Sequence, residues 1–219
     1  MRGCTETLTA LCAVLLATGS TLAAQDITRE FTYDELRPTA IQVDLGLLGA
    51  SRLVGTPVGG ARLDFGRIAP RVRLLLGLSY YRSEFDRDTR ARFERRLEQI
   101  VIDPAGDDTI RVGRIFWADL VADIDLQYVI PQGPHVTTYI GMGGGIHARN
   151  GSGTAIDGTF VEDALDQVVA GLNVTLGAEL AVGPEWRWTL DARGVLLSDL
   201  ATVSLRAGLM YRFGRGDGP

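Results

Sequence analysis

The chain has 219 residues, a formal net charge of −5 and an isoelectric point near 5.1. All of its 22 basic residues are arginines, and they form no basic tail, so nucleic-acid binding has no electrostatic support. No apolar run long enough for a transmembrane helix follows the N-terminal segment, which leaves membrane passage by strands as the alternative to a water-soluble exported fold.

The first 24 residues have the layout of a secretory signal peptide. Arg2 gives a positive start, an apolar stretch covers residues 8–17, and small residues precede the expected cleavage site after Ala24. This stretch is too short to span a bilayer as a helix. Both cysteines of the chain lie inside this segment, so we expect the exported chain to have neither disulfides nor thiol chemistry.

An irregular polar leader, residues 25–39, precedes a region in which apolar and polar residues alternate. A period of two predicts β-strands with one apolar and one polar face. Eight such segments form the predicted barrel domain, residues 40–213, and residues 214–219 form a short tail. The predicted strands contain residues 41–47, 61–65, 72–81, 117–128, 135–147, 168–182, 187–193 and 202–213.

The predicted connections alternate in length. Tight turns follow the second, fourth and sixth strands, whereas the first, third and fifth are followed by longer segments, which include a glycine-rich stretch at 51–60. This alternation is typical of outer-membrane barrels, and several strands are long enough to cross the hydrocarbon layer when tilted. Within residues 84–109, apolar residues at helical spacing after Thr89 predict a short helix in the second outer loop.

The charged residues of the strands decide which face points inward. Turning Arg206 to lipid at the bilayer midplane would cost about 2–4 kcal/mol, and Asp123 somewhat less. We therefore expect the polar faces to line the lumen. Because eight strands enclose only enough space for their own side chains, this charge network should plug the barrel. Its predicted members are Asp44, Asp64, Asp119, Asp123, Asp125, Glu179, Asp191, Arg62, Arg73, Arg187, Arg193, Arg206 and Arg212.

Aromatic residues fall into two bands when the first strand is taken to run outward. Two such bands are typical of the aromatic girdles at the two membrane interfaces. The outer band comprises Tyr80, Phe116 and Trp117. The periplasmic band comprises Tyr128, Trp186, Trp188, Tyr211 and Phe213.

The export signal, the eight alternating strands and the ending AGLMYRF resemble the OmpA/OmpX/opacity-protein superfamily of small outer-membrane β-barrels. The resemblance covers about residues 40–213 and implies an all-β, eight-stranded antiparallel up-and-down transmembrane barrel in the outer membrane. It also implies an assembly signal in the last strand that the barrel-assembly machinery reads. The matching positions are Leu205, Ala207, Leu209, Tyr211 and Phe213.

Five arginines lie in the second outer loop. One interpretation is contact with lipopolysaccharide phosphates, because the guanidinium group fits phosphate well. The alternative is a solvated helix in which Glu94 and Glu98 are the ionic partners. The arginines concerned are Arg87, Arg90, Arg92, Arg95 and Arg96.

His147, near the outer end of the fifth strand, is the candidate for catalysis. A lipid hydrolase or acyltransferase would need a histidine, a nucleophilic serine and an orienting acid. Small lipid A deacylase barrels carry the serine close to the histidine on the same strand, whereas here Arg149 stands two residues beyond His147. We therefore expect a rim or loop histidine.

The sequence thus predicts a monomeric outer-membrane barrel with a structural or surface-interaction role through its outer loops. Its expected surroundings are outer-membrane lipid and lipopolysaccharide. We predict no catalytic residues, cofactor or metal site. The alternatives are a narrow gated solute channel and an enzyme that modifies lipid A or phospholipid. A soluble lipocalin-like barrel would need an apolar interior, which the aspartates of the fourth strand oppose.

Overall fold

The alternating segments form eight antiparallel strands that close into a barrel, in which each strand pairs with its sequence neighbours and β1 pairs with β8. A computed structural model describes residues 36–50, 55–88, 91–92, 94–95, 113–153 and 166–214. The predicted eight-stranded up-and-down barrel is confirmed. The strands are β1 (Ala40–Ala50), β2 (Thr56–Ala69), β3 (Val72–Glu84), β4 (Phe116–Pro131), β5 (Val136–Ser152), β6 (Gln167–Ala181), β7 (Trp186–Leu196) and β8 (Ala201–Arg212).

The two ends of the barrel differ in their connections. Residues 70–71, 132–135 and 182–185 connect strands at one end, which we call the short-turn end. The other end, which we call the long-loop end, carries the connections 51–55, 85–115, 153–166 and 197–200. In outer-membrane barrels the short turns face the periplasm and the long loops face outward.

Most strands extend beyond the residues that the sequence predicts, β2 and β5 furthest. Residues 56–60 were assigned to a glycine-rich connection, but they belong to β2 and pair with residues 44–48 of β1. Similarly, β5 continues past Arg149 to Ser152, which pairs with Phe116. In both places the backbone groups of the neighbouring strand continue the ladder, so pairing overrides the local preference of glycine for loops.

The predicted helix of the second outer loop is described only in part. Residues 87–88, 91–92 and 94–95 have helical backbone conformation. The remaining residues of that segment, including Arg90 and Arg96, lie outside the described residues. The signal peptide, residues 25–35 of the leader and residues 215–219 of the tail also lie outside them.

The outer wall of the barrel is apolar along the middle of every strand. Side chains that point outward are largely exposed; Leu45, for example, is 71% exposed and Leu172 is 69% exposed. A monomeric soluble protein seldom exposes a continuous apolar surface of this extent, whereas lipid would cover it. Within the described part of the chain, no helix is both long and apolar enough to cross a membrane.

The interior is largely polar and charged, and it contains one buried apolar cluster. At the long-loop end, Leu48, Val58, Tyr81, Trp117 and Leu200 form this cluster. Several further apolar side chains are buried nearer the short-turn end. They are Ala40, Ile68, Ala69, Leu75, Val129 and Met210.

Candidate functional site

The charge network begins with Arg62, which reaches across the lumen from β2. Its Nη1 and Nη2 atoms each donate to the carboxylate of Asp191 on β7 at 3.4 Å, and its Nε atom lies 3.8 Å from Asp44. Arg206 donates from Nη1 to Asp44 at 3.3 Å and from Nε to the Ser204 hydroxyl. Four strands, β1, β2, β7 and β8, are thus joined through side chains as well as through their ladders.

Arg193 bridges the neighbouring aspartates of β4. Its Nη2 atom lies 3.1 Å from Asp123 Oδ1 and its Nη1 atom 3.2 Å from Asp125 Oδ2. All three side chains are at most 3% exposed. Because Arg193 lies on β7, these ion pairs connect β7 with β4 across the lumen. Without such partners, each buried carboxylate would incur a large desolvation cost.

Arg73 organises the level nearest the short-turn end. It donates to Gln127 Oε1 from Nε at 2.9 Å and forms ion pairs with Asp64, at 3.3 Å, and with Glu179. Its guanidinium carbon lies 5.0 Å from the centre of the Tyr139 ring. A planar guanidinium suits this combination of several acceptors and an aromatic face. Glu179 also pairs with Arg187 at 3.5 Å, closer to the barrel mouth.

Asp119 organises the level nearest the long-loop end. Its Oδ2 atom accepts from the Tyr81 hydroxyl at 3.0 Å and lies 2.9 Å from His147 Nδ1. Arg149 is buried beside it, 3.9 Å away, and donates from Nη1 to both carboxylate oxygens of Asp199 at 3.0 Å. Asp199 belongs to the connection between β7 and β8, so this ion pair fastens that connection over the lumen.

Lumen-facing glycines make room for these side chains. An added Cβ at Gly143 would overlap Ile124 O and the Asp125 carboxylate, and one at Gly177 would overlap the Tyr139 ring. A lumen of fixed width can hold a large inward side chain only where the opposite position is small. The lumen-facing glycines of β5 therefore lie directly beside charged and polar members of the network.

The structure places the predicted residues as follows. Twelve of the thirteen charged side chains expected in the lumen form an ion pair within 4.0 Å. The exception is Arg212, which is half-buried at the short-turn mouth and has no ion pair with the described residues. The girdle prediction is wrong for Trp117, which is 7% exposed. Trp117 shares the inward face with Asp119, stacks on Phe85 and lies under Arg149, 4.5 Å from its guanidinium carbon.

The other aromatic residues of the two bands are exposed or half-buried on the outer wall. Trp186 contacts Tyr211, with ring centroids 4.8 Å apart, and Tyr211 contacts Phe213 at 5.9 Å. The remaining members are Tyr80, Phe116, Tyr128 and Trp188. The five positions proposed as an assembly signal also lie on this wall. Among them, Leu205 is 58% exposed and Leu209 is 38% exposed.

Sequence reasoning missed several members of the network. Tyr139 and Gln127 were seen only as alternating strand residues, although their period placed them on the inward face. The pair formed by Arg149 and Asp199 joins a residue assigned to a loop with one in a short connection. No local pattern connects these two residues, which lie 50 positions apart.

A small cavity of about 20 Å³ lies inside the lumen. Residues of every strand except β2 line it, among them Ser79, Asp123, His147, Asn173 and Arg206. That volume holds about one water molecule. Among the residues described, no group of three or more His, Cys, Asp or Glu side chains has the arrangement of a metal site. Charged and polar side chains thus occupy the middle of the described lumen.

His147 is 4% exposed and points into the lumen from β5, so the expectation of a rim or loop histidine is wrong. It does have an orienting acid, which the sequence did not assign to it. Its Nδ1 atom contacts Asp119, as the histidine of a hydrolase contacts its acid. Ser79 lines the same small cavity. A cavity of about 20 Å³ has no space for an acyl chain or a sugar.

An open cleft of about 270 Å³ lies at the rim of the long-loop end. Arg82, Ser83, Glu84 and Phe116 line it, together with two residues at the start of β2. Arg82 lies 4.7 Å above the Phe116 ring and donates to the Ser152 hydroxyl at 3.4 Å. Arginines 87, 92 and 95 follow in the same segment and are exposed.

Comparisons with known proteins found solved structures of similar fold. The crystal structure of Neisserial surface protein A matches 80% of this chain and 96% of its own, with a TM-score of 0.55 and 14% sequence identity. The N-terminal β-barrel domain of Pseudomonas aeruginosa OprF matches 80% of this chain and 98% of its own, at 11% identity and a TM-score of 0.48. Ail of Yersinia pestis matches 81% of this chain and 100% of its own, at 12% identity and a TM-score of 0.45.

No protein-family model and no curated protein matches the sequence. At these identities, the likeness to solved structures concerns the fold. Together with the apolar outer wall, it defines the chain as a small eight-stranded barrel of the outer-membrane type. Its particular feature is a lumen filled by ion pairs at three levels and covered at the long-loop end by an apolar cluster.

Proposed function

We propose that this protein is an outer-membrane barrel that does not conduct and that acts through its outer segments, by contact at the cell surface. The observation that carries the proposal is the small space left between the charged side chains of the lumen, a cavity of about 20 Å³. A barrel without a passage has two remaining surfaces on which to act, the lipid-facing wall and the ends.

A gated channel is the less favoured alternative. To open the lumen, ion pairs would have to break at three levels, those of Arg73, Arg62 and Arg149. Removing one partner of a buried pair costs about 3–5 kcal/mol, because the other charge is left uncompensated. The apolar cluster around Trp117 would also have to separate.

The outer segments offer a chemically specific surface. Residues 85–115 form the longest connection, and described arginines of this segment and of the adjoining strand end are exposed. We propose that they contact the phosphates of lipopolysaccharide, since guanidinium groups bind phosphate in a bidentate manner. The neighbour with the highest structural similarity reported above is named as a surface protein, which agrees with a role at this end.

Binding to purified lipopolysaccharide tests the proposal. The variant R87Q/R92Q/R95Q should bind lipopolysaccharide micelles more weakly than the wild-type barrel, and the difference should shrink at high salt. The matched control R37Q/R67Q/R212Q removes the same number of charges at the short-turn end and should bind as the wild type does. Equal binding by all three proteins would remove the role assigned to these arginines.

The partner proposed for biogenesis is the barrel-assembly machinery, which would read the outward positions of β8 and the aromatic residue that follows it. Phe213 is 45% exposed and contacts only the edge of Tyr211 among the described rings. Phe213→Ala should therefore reduce the amount of assembled barrel in the membrane while leaving the stability of the refolded protein nearly unchanged. Trp188→Ala, also on the outer wall, is the control. An unchanged assembly level in the Phe213 variant would contradict this assignment.

A further inference from the structure

The two-residue turn between β2 and β3 holds an arginine in a backbone conformation that glycine adopts more easily. Arg71 has φ of 85°, and it is the only residue other than glycine with positive φ among the residues that the structure describes. A two-residue turn with positive φ at this position favours glycine or asparagine. An arginine held there is strained, and such strain is retained chiefly at functional positions.

The guanidinium group of Arg71 lies at the lipid-facing rim. Its Nη1 atom donates to the hydroxyl of Tyr128 at 3.4 Å. Tyr128 is an outward-facing member of the periplasmic aromatic band and is 42% exposed. Aromatic residues of this kind lie at the level of the lipid headgroups. The contact therefore holds the charge of Arg71 beside the headgroups rather than in the barrel mouth.

A second exposed arginine lies on the same hairpin. Arg67 is on β2, four residues before Arg71, and no ion pair joins it to any described residue. The described carboxylates of this end are engaged elsewhere. Asp64 and Glu179 pair with Arg73 inside the lumen, and Glu185 lies on the β6–β7 turn, where it hydrogen-bonds with Tyr211.

The β2–β3 hairpin and the β6–β7 turn lie on opposite sides of an eight-stranded barrel, because four strands separate them. Arg67 is in register with Arg73, whose side chain lies in the lumen, so Arg71 is the cation that this hairpin presents to lipid, without a neighbouring described acid. We infer that Arg71 and the Tyr128 hydroxyl form a binding site for the phosphate of an anionic phospholipid in the leaflet at the short-turn end. Guanidinium and hydroxyl donors are the groups that bind phosphate oxygens.

The site is tested by titration of the folded barrel, in a neutral detergent, with short-chain phosphatidylglycerol. Native mass spectrometry counts the bound lipid, with short-chain phosphatidylcholine and inorganic phosphate as separate arms. The wild type should prefer phosphatidylglycerol to phosphatidylcholine. An arginine near an anionic lipid surface contributes about fivefold in affinity. Arg71→Gly should therefore bind phosphatidylglycerol about fivefold more weakly.

Arg71→Gly separates binding from folding, because glycine relaxes the strained turn. We expect this variant to keep its heat-resistant folded form on a gel while losing lipid affinity. Arg212→Gln removes a charge at the same end, but one that faces the mouth, and should bind lipid as the wild type does. The inference is overturned if Arg71→Gly binds phosphatidylglycerol as tightly as the wild type or if Arg212→Gln loses as much affinity. It is also overturned if free phosphate binds with the same dependence on Arg71.

Discussion

Arg62 and Asp191 form a bidentate ion pair across the lumen, in which the Nη1 and Nη2 atoms of Arg62 each lie 3.4 Å from a carboxylate oxygen. The side chains are 3% and 1% exposed, and the residues lie 129 positions apart on β2 and β7, which do not pair as strands. The barrel is thus held through its centre as well as around its circumference, and this cross-link can be tested by substitution.

Asp191→Asn should destabilise the folded barrel by about 3 kcal/mol, because Arg62 would keep its buried charge but lose its closest carboxylate. Urea titration of the refolded protein in lipid, followed by tryptophan fluorescence, measures the change. The control is Glu84→Gln, whose partner Arg114 is 3.9 Å away and 76% exposed. This surface pair should contribute at most about 1 kcal/mol. Equal losses in the two variants would argue against a structural role for the lumen pair.

Two adjacent glycines of β5 should differ in how much an added methyl group destabilises the barrel. Gly143→Ala places Cβ against Ile124 O and Asp125, whereas the nearest neighbour of an added Cβ at Gly144 is Gly171 O at 3.5 Å. We expect a loss of about 1–3 kcal/mol for the first variant from overpacking and less than about 0.5 kcal/mol for the second. The same urea titration compares them. A lumen with spare volume would tolerate both.

The three tryptophans of the chain differ in their access to lipid. Trp186 and Trp188 are 44% and 57% exposed on the outer wall, whereas Trp117 is 7% exposed inside the barrel. Lipids brominated in the acyl chain should therefore quench Trp186 and Trp188 and spare Trp117. In the variant Trp117→Phe, the quenched fraction of the emission should rise. A fall in that fraction would place Trp117 at the lipid interface after all.

The apolar outer wall predicts a cost for charge that depends on depth. Ile124, which is 49% exposed, lies near the middle of β4, whereas Val136 begins β5 at the short-turn end. Ile124→Arg should cost about 2–4 kcal/mol in a bilayer and Val136→Arg about 0–1 kcal/mol. Unfolding in phospholipid vesicles measures both. Costs in the reverse order would contradict the position of the membrane.

Period-two alternation predicted the number of strands and the direction of most side chains, because each pleat places consecutive residues on opposite faces. The ends of the strands were less predictable. Gly59 and Gly60 look like loop residues, yet they pair with Leu45 and Asp44 of β1. Strand pairing depends on the register of the neighbour, which a local pattern does not contain.

The members of the charge network were also more predictable than its pairs. Alternation put Arg62 and Asp191 on inward faces, but which arginine meets which aspartate depends on the stagger of strands that are far apart in sequence. Trp117 was misplaced for a related reason. It lies at the height of the outer aromatic band, and height alone does not distinguish the inward from the outward face of the wall.

Single-channel recording in planar lipid bilayers most directly tests the proposal of a sealed barrel. The purified, folded protein is inserted from detergent, and insertion is verified by its heat-modifiable migration after recovery. We expect no stepwise conductance from the wild type, because ion pairs fill the lumen at three levels and its cavity holds about one water molecule. Stable, repeated open-channel steps from the wild-type barrel would contradict the proposal and would favour the gated channel.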